Sequence, residues 1–370
     1  MQPATETGSR ATPTERIIGY DVARALAILG MVVVHFSLVL AADRSGPGWL
    51  TAVLSLLDGR AAATFVVLAG VGVTLMSRRV VLGADKDGVA RARAVLVRRG
   101  VVLLVLGFLN LRIWPGDILR VYGVSLLLAS RLIPASDRRL WLVALGCAAG
   151  FVALLLALDF GQNWDWATLT YHHLWTPAGL VRNLFYDGFR SVFPWAGFLF
   201  FGMWLGRLDL GNRAVNSRVL LIAAGTALGA EAVSRLCVAY FLAHPGGMDV
   251  ETIRALFGTE SMPALPLFLL ASGGAATAVI ALCVRLTGRE PSRGWRPLVA
   301  TGQMALTWYF AHIMLGLGTV VALDLVGSQS LPVAAGCGVG FFAVAVLVSS
   351  VWKMVFRHGP LEWVMRKVAG

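Results

Sequence analysis

Ten apolar runs separated by short polar connections make up most of the chain, at about 16–42, 61–77, 96–113, 117–134, 140–158, 190–206, 218–243, 262–286, 297–322 and 331–352. A helix that crosses a bilayer needs about 20 mostly apolar residues. The pattern therefore predicts an all-α polytopic membrane protein, with about ten transmembrane helices in one bundle. Residues 49–57 read as an interfacial helix ahead of the second span, and the WPGD turn divides the third span from the fourth. The stretch between 158 and 190, with Trp164, Trp166, Tyr171 and Trp175, reads as an aromatic loop suited to the membrane interface. The N-terminal segment 1–15, with Pro, Thr and Ser, reads as a disordered cytoplasmic tail. Residues 16–370 read as a single transmembrane helical domain, with an N-terminal part over 16–210 and C-terminal helices over 211–370.

The first run, RIIGYDVARALAILGMVVVHFSLVLAA, carries Arg24 near one end and His35 well inside. Eleven helical positions leave the two side chains about 20° apart around the axis and about 16 Å apart along it. Both face the same neighbour or cavity. Ionisable groups at membrane depth are costly and face a bundle interior, so this stripe is the first candidate site.

Composition sharpens the class. The chain is 57% hydrophobic and 14% charged, with mean hydropathy +0.74, against about 25% charged residues in soluble proteins. The formal charge of +12 could suggest nucleic acid, but 23 of the 32 Lys and Arg fall in alternate connections and the tails, seven of them between Arg78 and Arg99. That distribution places those segments and both termini in the cytoplasm, for a multi-pass protein of the cell inner (plasma) membrane, without a nucleic-acid partner. Cys147, Cys237, Cys283 and Cys337 all lie in apolar runs and read as buried hydrophobes, which implies neither a disulfide nor a metal site.

Depth along the spans gives the remaining candidates. At a rise of about 1.5 Å for each helical position, His35 on the first helix and His312 on the ninth share a level, with Arg112 and Arg235 near it and Glu231 one turn below Arg235. Glu231 and Arg235, at i and i+4, could instead neutralise each other, and Asp21 with Arg24 could be an interfacial anchor. On the ninth helix Gln303 and Thr307 lie along one face, Trp308 and His312 along another, and Tyr309 between them. Asp58, Arg60, Asp117, Arg120 and Glu260 sit at helix ends, where caps or a solvated rim would also account for them. His172 and His173 read as solvent-exposed unless they line a substrate mouth.

RIIGYDVARALAILGMVVVHF resembles the first helix of the membrane acyltransferases, in which an Arg near the cytoplasmic end is followed by a His at the spacing that separates Arg24 from His35. With LDGRAAATFVVLAGVGVTLMSRR it is similar to the catalytic domain of the heparan-α-glucosaminide N-acetyltransferase family in its bacterial branch. GDILRVYGV, FPWAGFLFFGMWLGRLDL, LVATGQMALTWYFAHIMLG and GPLEWVMRK resemble a family of bacterial multi-spanning proteins usually joined to it. The resemblance implies transfer of an acyl group, commonly acetyl, from acetyl-CoA or another acyl-CoA at the cytoplasmic face to a glycan or lipid-linked acceptor on the opposite side, with membrane lipids as surroundings. It implies His35 and Arg24 as the catalytic pair. His312, Tyr309, Gln303, Arg235, Glu231, Arg112, Asp58, Arg60 and Asp117 are the candidate substrate-binding residues. In the lysosomal branch the catalytic His follows the first helix; this chain has ADRSGPGWL there, so glucosamine N-acetylation is not itself implied.

Imidazole suits a general base because its ordinary pKa of about 6.5 lies near working pH. A guanidinium offers a fixed fork of donors to the phosphates of coenzyme A, and the basic stretch Arg78–Arg99 could attract the same anion or lipid headgroups. A transporter or flippase for a small polar or lipid-linked molecule is the alternative, using the same charges as a binding site or relay.

Overall fold

The structure, a computed structural model, describes residues 17–43, 45–166, 168, 170–288 and 292–370. The expected tail over 1–15 lies outside the described residues. Helix α1 spans Gly19–Leu40, α2 Gly48–Leu57, α3 Arg60–Leu82, α4 Lys86–Asn110, α5 Leu119–Leu132 and α6 Asp137–Ala157. The expected aromatic loop is more ordered than its composition suggests. Strands β1 (Trp164–Asp165) and β2 (Thr170–Tyr171) pair antiparallel, followed by α7 (Pro177–Arg182) and a π-helical turn over Asn183–Asp187. Helices α8 (Val192–Leu205), α9 (Arg213–Ala243), α10 (Val250–Phe257) and α11 (Pro266–Thr287) come next. They are followed by α12 (Arg296–Gly302), α13 (Ala305–Ala311), α14 (Gly318–Ala322), α15 (Leu331–Val355) and α16 (Pro360–Ala369).

Every one of the ten apolar runs carries a helix, but among the described residues seven stretches are long and apolar enough to cross a membrane. They are α1, α2 with α3, α6, α9, α11, Ala305–Ala322 and α15. The other three runs fall short for separate reasons. Helices α5 and α8 have 14 residues each, and α4 carries Arg93, Arg98 and Arg99 where its apolar half begins.

Helix α1 is the hub. It packs against α15, α12, α3 and α11, and Leu26 is its single exposed residue. Ala23, Ala25, Ala27 and Gly30 are all buried, since small residues let neighbouring backbones approach closely. The outer helices have the opposite character. Leu221, Ile222, Leu228 and Leu236 of α9 and Leu347 and Val351 of α15 are exposed, an apolar exterior suited to lipid.

The expected ninth span is not one helix. After α12, Gln303 and Met304 leave the helical ladder, α13 restarts at Ala305, and His312–Leu317 is a π-helical segment running into α14. The first N–H groups of a helix lack internal partners. Those of Leu306 and Thr307 donate to Glu362 Oε1 at 2.7 and 3.0 Å, and the Thr307 hydroxyl donates to Oε2 at 2.6 Å. Glu362 lies in the first turn of α16, so the last helix of the chain closes the break, and its carboxylate complements the positive end of the α13 dipole.

Candidate functional site

Both polar residues of α1 meet this broken helix, as their shared face requires. Arg24 Nη1 donates to Asp21 Oδ1 at 2.9 Å and to the Gly302 carbonyl at 3.4 Å, and Gln303 Nε2 donates to Asp21 Oδ2 at 3.3 Å. Arg24, Asp21 and Gln303 therefore form a polar cluster at the break. The Arg24 side chain keeps 27% of its surface, which leaves part of its donor fork available. A Cβ at Gly302 would lie 1.9 Å from the Asp21 carbonyl oxygen, so only glycine permits α12 to approach α1 this closely. Gly302→Ala is expected to lower stability by about 1–3 kcal/mol through overpacking, measured as thermal unfolding of the detergent-solubilised protein.

Three turns along α1, His35 Nδ1 lies 3.0 Å from His312 Nε2, at the start of the π-helical segment, and such segments occur often at functional sites. The geometry assigns the protons. His312 Nδ1 is 3.2 Å from the Trp308 carbonyl oxygen, which can only accept, so Nδ1 carries the hydrogen and Nε2 is a lone pair. That lone pair accepts from His35 Nδ1–H, so in the neutral imidazole His35 Nε2 carries no hydrogen. Both imidazoles are buried, and His35, with 9% of its surface left, is the less enclosed of the two. Trp308 is fixed by its indole N–H, which donates to Ser349 Oγ of α15 at 2.7 Å. The Trp114 ring packs on His35, with centroids 4.8 Å apart.

Beside the imidazoles lies a buried network. The Tyr309 ring is 5.6 Å from that of His312, and its hydroxyl donates to Asp117 Oδ1 at 3.1 Å. Asp117 also accepts from Asn110 Nδ2 at 2.8 Å and from the Arg120 backbone N–H at 3.1 Å, and the Arg120 Nε lies 3.5 Å from its Oδ2. Arg120 Nη1 donates to Asn183 Oδ1 at 2.8 Å. Asp117 and Arg120 have no exposed surface, so the solvated-rim reading fails for both. The sequence marked this pair only by its place at a helix end, and Asn183 reaches it from 63 positions away.

The remaining candidates separate. Glu231 pairs with Arg60 of α3 rather than with Arg235, and Thr259 bonds both partners, donating to Glu231 Oε1 at 2.9 Å and accepting from Arg60 at 3.1 Å. Arg235 is exposed on α9 and is not brought to the imidazoles; counting depth fixes a level, not a direction around the helix. Asp58 lies 3.9 Å from Arg190, which sits over the Trp195 ring at 4.5 Å, and borders a small cavity of about 120 Å³. Arg112 stands over the Trp175 ring at 4.9 Å in an open basin of about 930 Å³, where His172 and His173 are also found. Sequence reasoning missed Trp114, Arg190 and Asn183, for which no spacing gave a signal. Among the described residues, no group of three or more His, Cys, Asp or Glu could hold a metal ion.

The family model described as heparan-alpha-glucosaminide N-acetyltransferase, catalytic, matches residues 16–245. A second, described as a protein of unknown function (DUF418), matches residues 259–370. The uncharacterized protein YeiB of Escherichia coli (strain K12) is 24% identical over 392 aligned positions, covering 96% of each chain. No solved structure matches.

Proposed function

We propose that this chain, which belongs to the heparan-α-glucosaminide N-acetyltransferase catalytic family, is an acyltransferase of the inner membrane. It moves an acyl group, acetyl foremost, from a cytoplasmic acyl-CoA to a hydroxyl or amine of a glycan or lipid-linked acceptor at the extracytoplasmic face. Ten membrane passes with both ends inside accord with the charge asymmetry. In this reading, which treats residues 16–370 as one functional unit, α5 and α8 are short passes in a locally thin part of the bundle.

The observation that carries the reading is the His35–His312 pair with its assigned tautomers. His35 Nε2 is the base. It takes the proton from the acceptor O–H or N–H as that atom attacks the acyl carbon. The new bond forms, the C–S bond of the thioester breaks, and the proton taken by His35 is returned to the departing thiolate of coenzyme A, which restores the base. His312 holds His35 in the productive tautomer, and Tyr309, with Asp117 behind it, fixes the face of His312. Arg24, still partly exposed beside Asp21, offers its free donors to a phosphate of the acyl donor.

The broken helix favours a second reading, transport, because transporters use half-helix N-termini to hold anionic substrates. Here the N–H groups at that N-terminus are filled by the Glu362 carboxylate, which argues for a structural break. The deciding experiment gives acetyl-CoA, labelled in the acetyl group, to the purified full-length chain in nanodiscs with an envelope-glycan extract. Transfer or release of label above a protein-free control is expected, and Arg24→Gln is expected to raise KM for acetyl-CoA about tenfold, the value of one charge-assisted contact. No turnover in nanodiscs, together with solute flux into sealed vesicles without covalent change, overturns the acyltransferase reading in favour of transport.

A further inference from the structure

A basin of about 930 Å³ opens between the α4–α5 turn and the aromatic stretch ahead of α7. Its volume lies in the range of small-ligand sites, about 300–1,000 Å³. It lies at the C-terminal end of α4, about 17 Å along the axis from Arg98 and Arg99 near the middle of that helix. We propose that this basin binds a carbohydrate ring, the acceptor-side saccharide, on Trp175 with Arg112, His172, His173 and Asn183 around it. The inference rests on the acyltransferase reading and deepens it by locating the acceptor and naming its chemical class.

Four observations lead there. Trp175 is 51% exposed, a flat apolar face of the size of a pyranose, whose C–H face is apolar and whose rim is a ring of hydroxyls. Around Trp175 stand a guanidinium, two imidazoles and a carboxamide, the donor and acceptor set that hydroxyls need. Arg112 is the one permanent cation lining the basin among the described residues, and it lies over the Trp175 ring; one shared charge is a weak phosphate site and an adequate hydroxyl donor.

The fourth observation concerns the wall between basin and imidazoles. Leu111, Arg112, Ile113 and Pro115 line the basin, while Trp114, between them in sequence, is buried with its ring on His35. The Trp114 indole N–H and Arg120 Nη2 are buried without a partner in this wall, and buried donors are otherwise almost always satisfied. Asn183 belongs to the basin lining and to the Arg120–Asp117–Tyr309 network at once. A ring held on Trp175 thus stands against a wall that already carries unfilled donors and ends at the base.

The test is a titration of the purified full-length protein in nanodiscs, read by intrinsic tryptophan fluorescence. The probes are glucose, galactose, N-acetylglucosamine, maltose, cellobiose and chitobiose, with inorganic phosphate and glycerol 3-phosphate as anionic comparators. At least one saccharide is expected to give a saturable change. Its Kd is expected to rise tenfold or more in Trp175→Ala and several-fold in Arg112→Gln, and to stay within twofold in His35→Gln. The site is exposed, so both basin variants are expected to unfold at the wild-type temperature, and Trp175→Phe is expected to retain part of the affinity. A saturable response to the anions alone, no response to any saccharide, or saccharide binding unchanged in both Trp175→Ala and Arg112→Gln overturns the proposal. Because the readout is binding, a protein that binds saccharide through Trp175 yet transfers no acetyl group leaves this site standing and removes only the acyltransferase reading.

Discussion

His35→Gln is expected to lower acyl transfer by about 10²–10⁴-fold, the usual contribution of a general base, while thermal unfolding and acetyl-CoA binding stay at wild-type values. Glutamine fills nearly the same volume, and its carboxamide can still donate to the lone pair of His312 Nε2, so packing against Trp114 and the link to α13 survive. What is lost is the unprotonated His35 Nε2. Replacing the partner gives a different signature. His312→Asn removes the acceptor that sets the His35 tautomer, so transfer falls by about tenfold or more even though no group in contact with substrate has changed. A fall below about tenfold in His35→Gln, with stability reduced, would identify the pair as an interhelical hydrogen bond and nothing more. Single-turnover rates on freshly purified protein, compared with unfolding temperatures of the same samples, separate these outcomes.

The sequence carried this pair because two simple periodicities acted together. The helical advance of about 100° for each position put Arg24 and His35 on one face, and the rise of about 1.5 Å put His35 level with His312. In the folded chain the two residues of α1 meet the two irregularities of one partner, the break at Gln303–Met304 and the π-helical segment at His312. Those irregularities were not legible. Residues 297–322 contain no interior proline beyond the first turn, and what stabilises the break is Glu362, 55 positions beyond Thr307. A local reading sees a continuous apolar helix because the competing partner of its backbone is remote. Glu231 fails for the same reason: an i+4 arginine was the nearest partner in sequence, and Arg60, 171 positions away, is the partner in space. Arg235 shows the complementary limit, since its depth was countable and its direction depends on which side of α9 packs against α11. The aromatic stretch was legible as a loop rich in Trp and Tyr, but its hairpin and the basin it walls depend on Trp164, whose indole N–H donates to the Asp187 carbonyl at 2.6 Å.

The buried pair Asp117 and Arg120 separates structural support from positioning. Arg120→Ala leaves a carboxylate uncompensated in a site without exposed surface, and a loss of about 3–5 kcal/mol is expected. A buried ion pair exchanged for apolar residues of similar volume is often neutral or better, so the double variant Asp117→Leu/Arg120→Met is expected to recover part of that loss. Recovery stays incomplete because the Tyr309 hydroxyl, the Asn110 carboxamide and Asn183 Oδ1 lose partners, each at about 1–3 kcal/mol. Transfer is expected to follow a different order from stability. In the double variant Tyr309 no longer has an oriented acceptor, the face of His312 is free to shift, and activity remains at least tenfold down although the protein folds. A double variant that regains both unfolding temperature and transfer would show that the network only fills space. One that regains the first without the second assigns it to holding the imidazoles, since thermal unfolding and turnover are then moved by different parts of the same cluster.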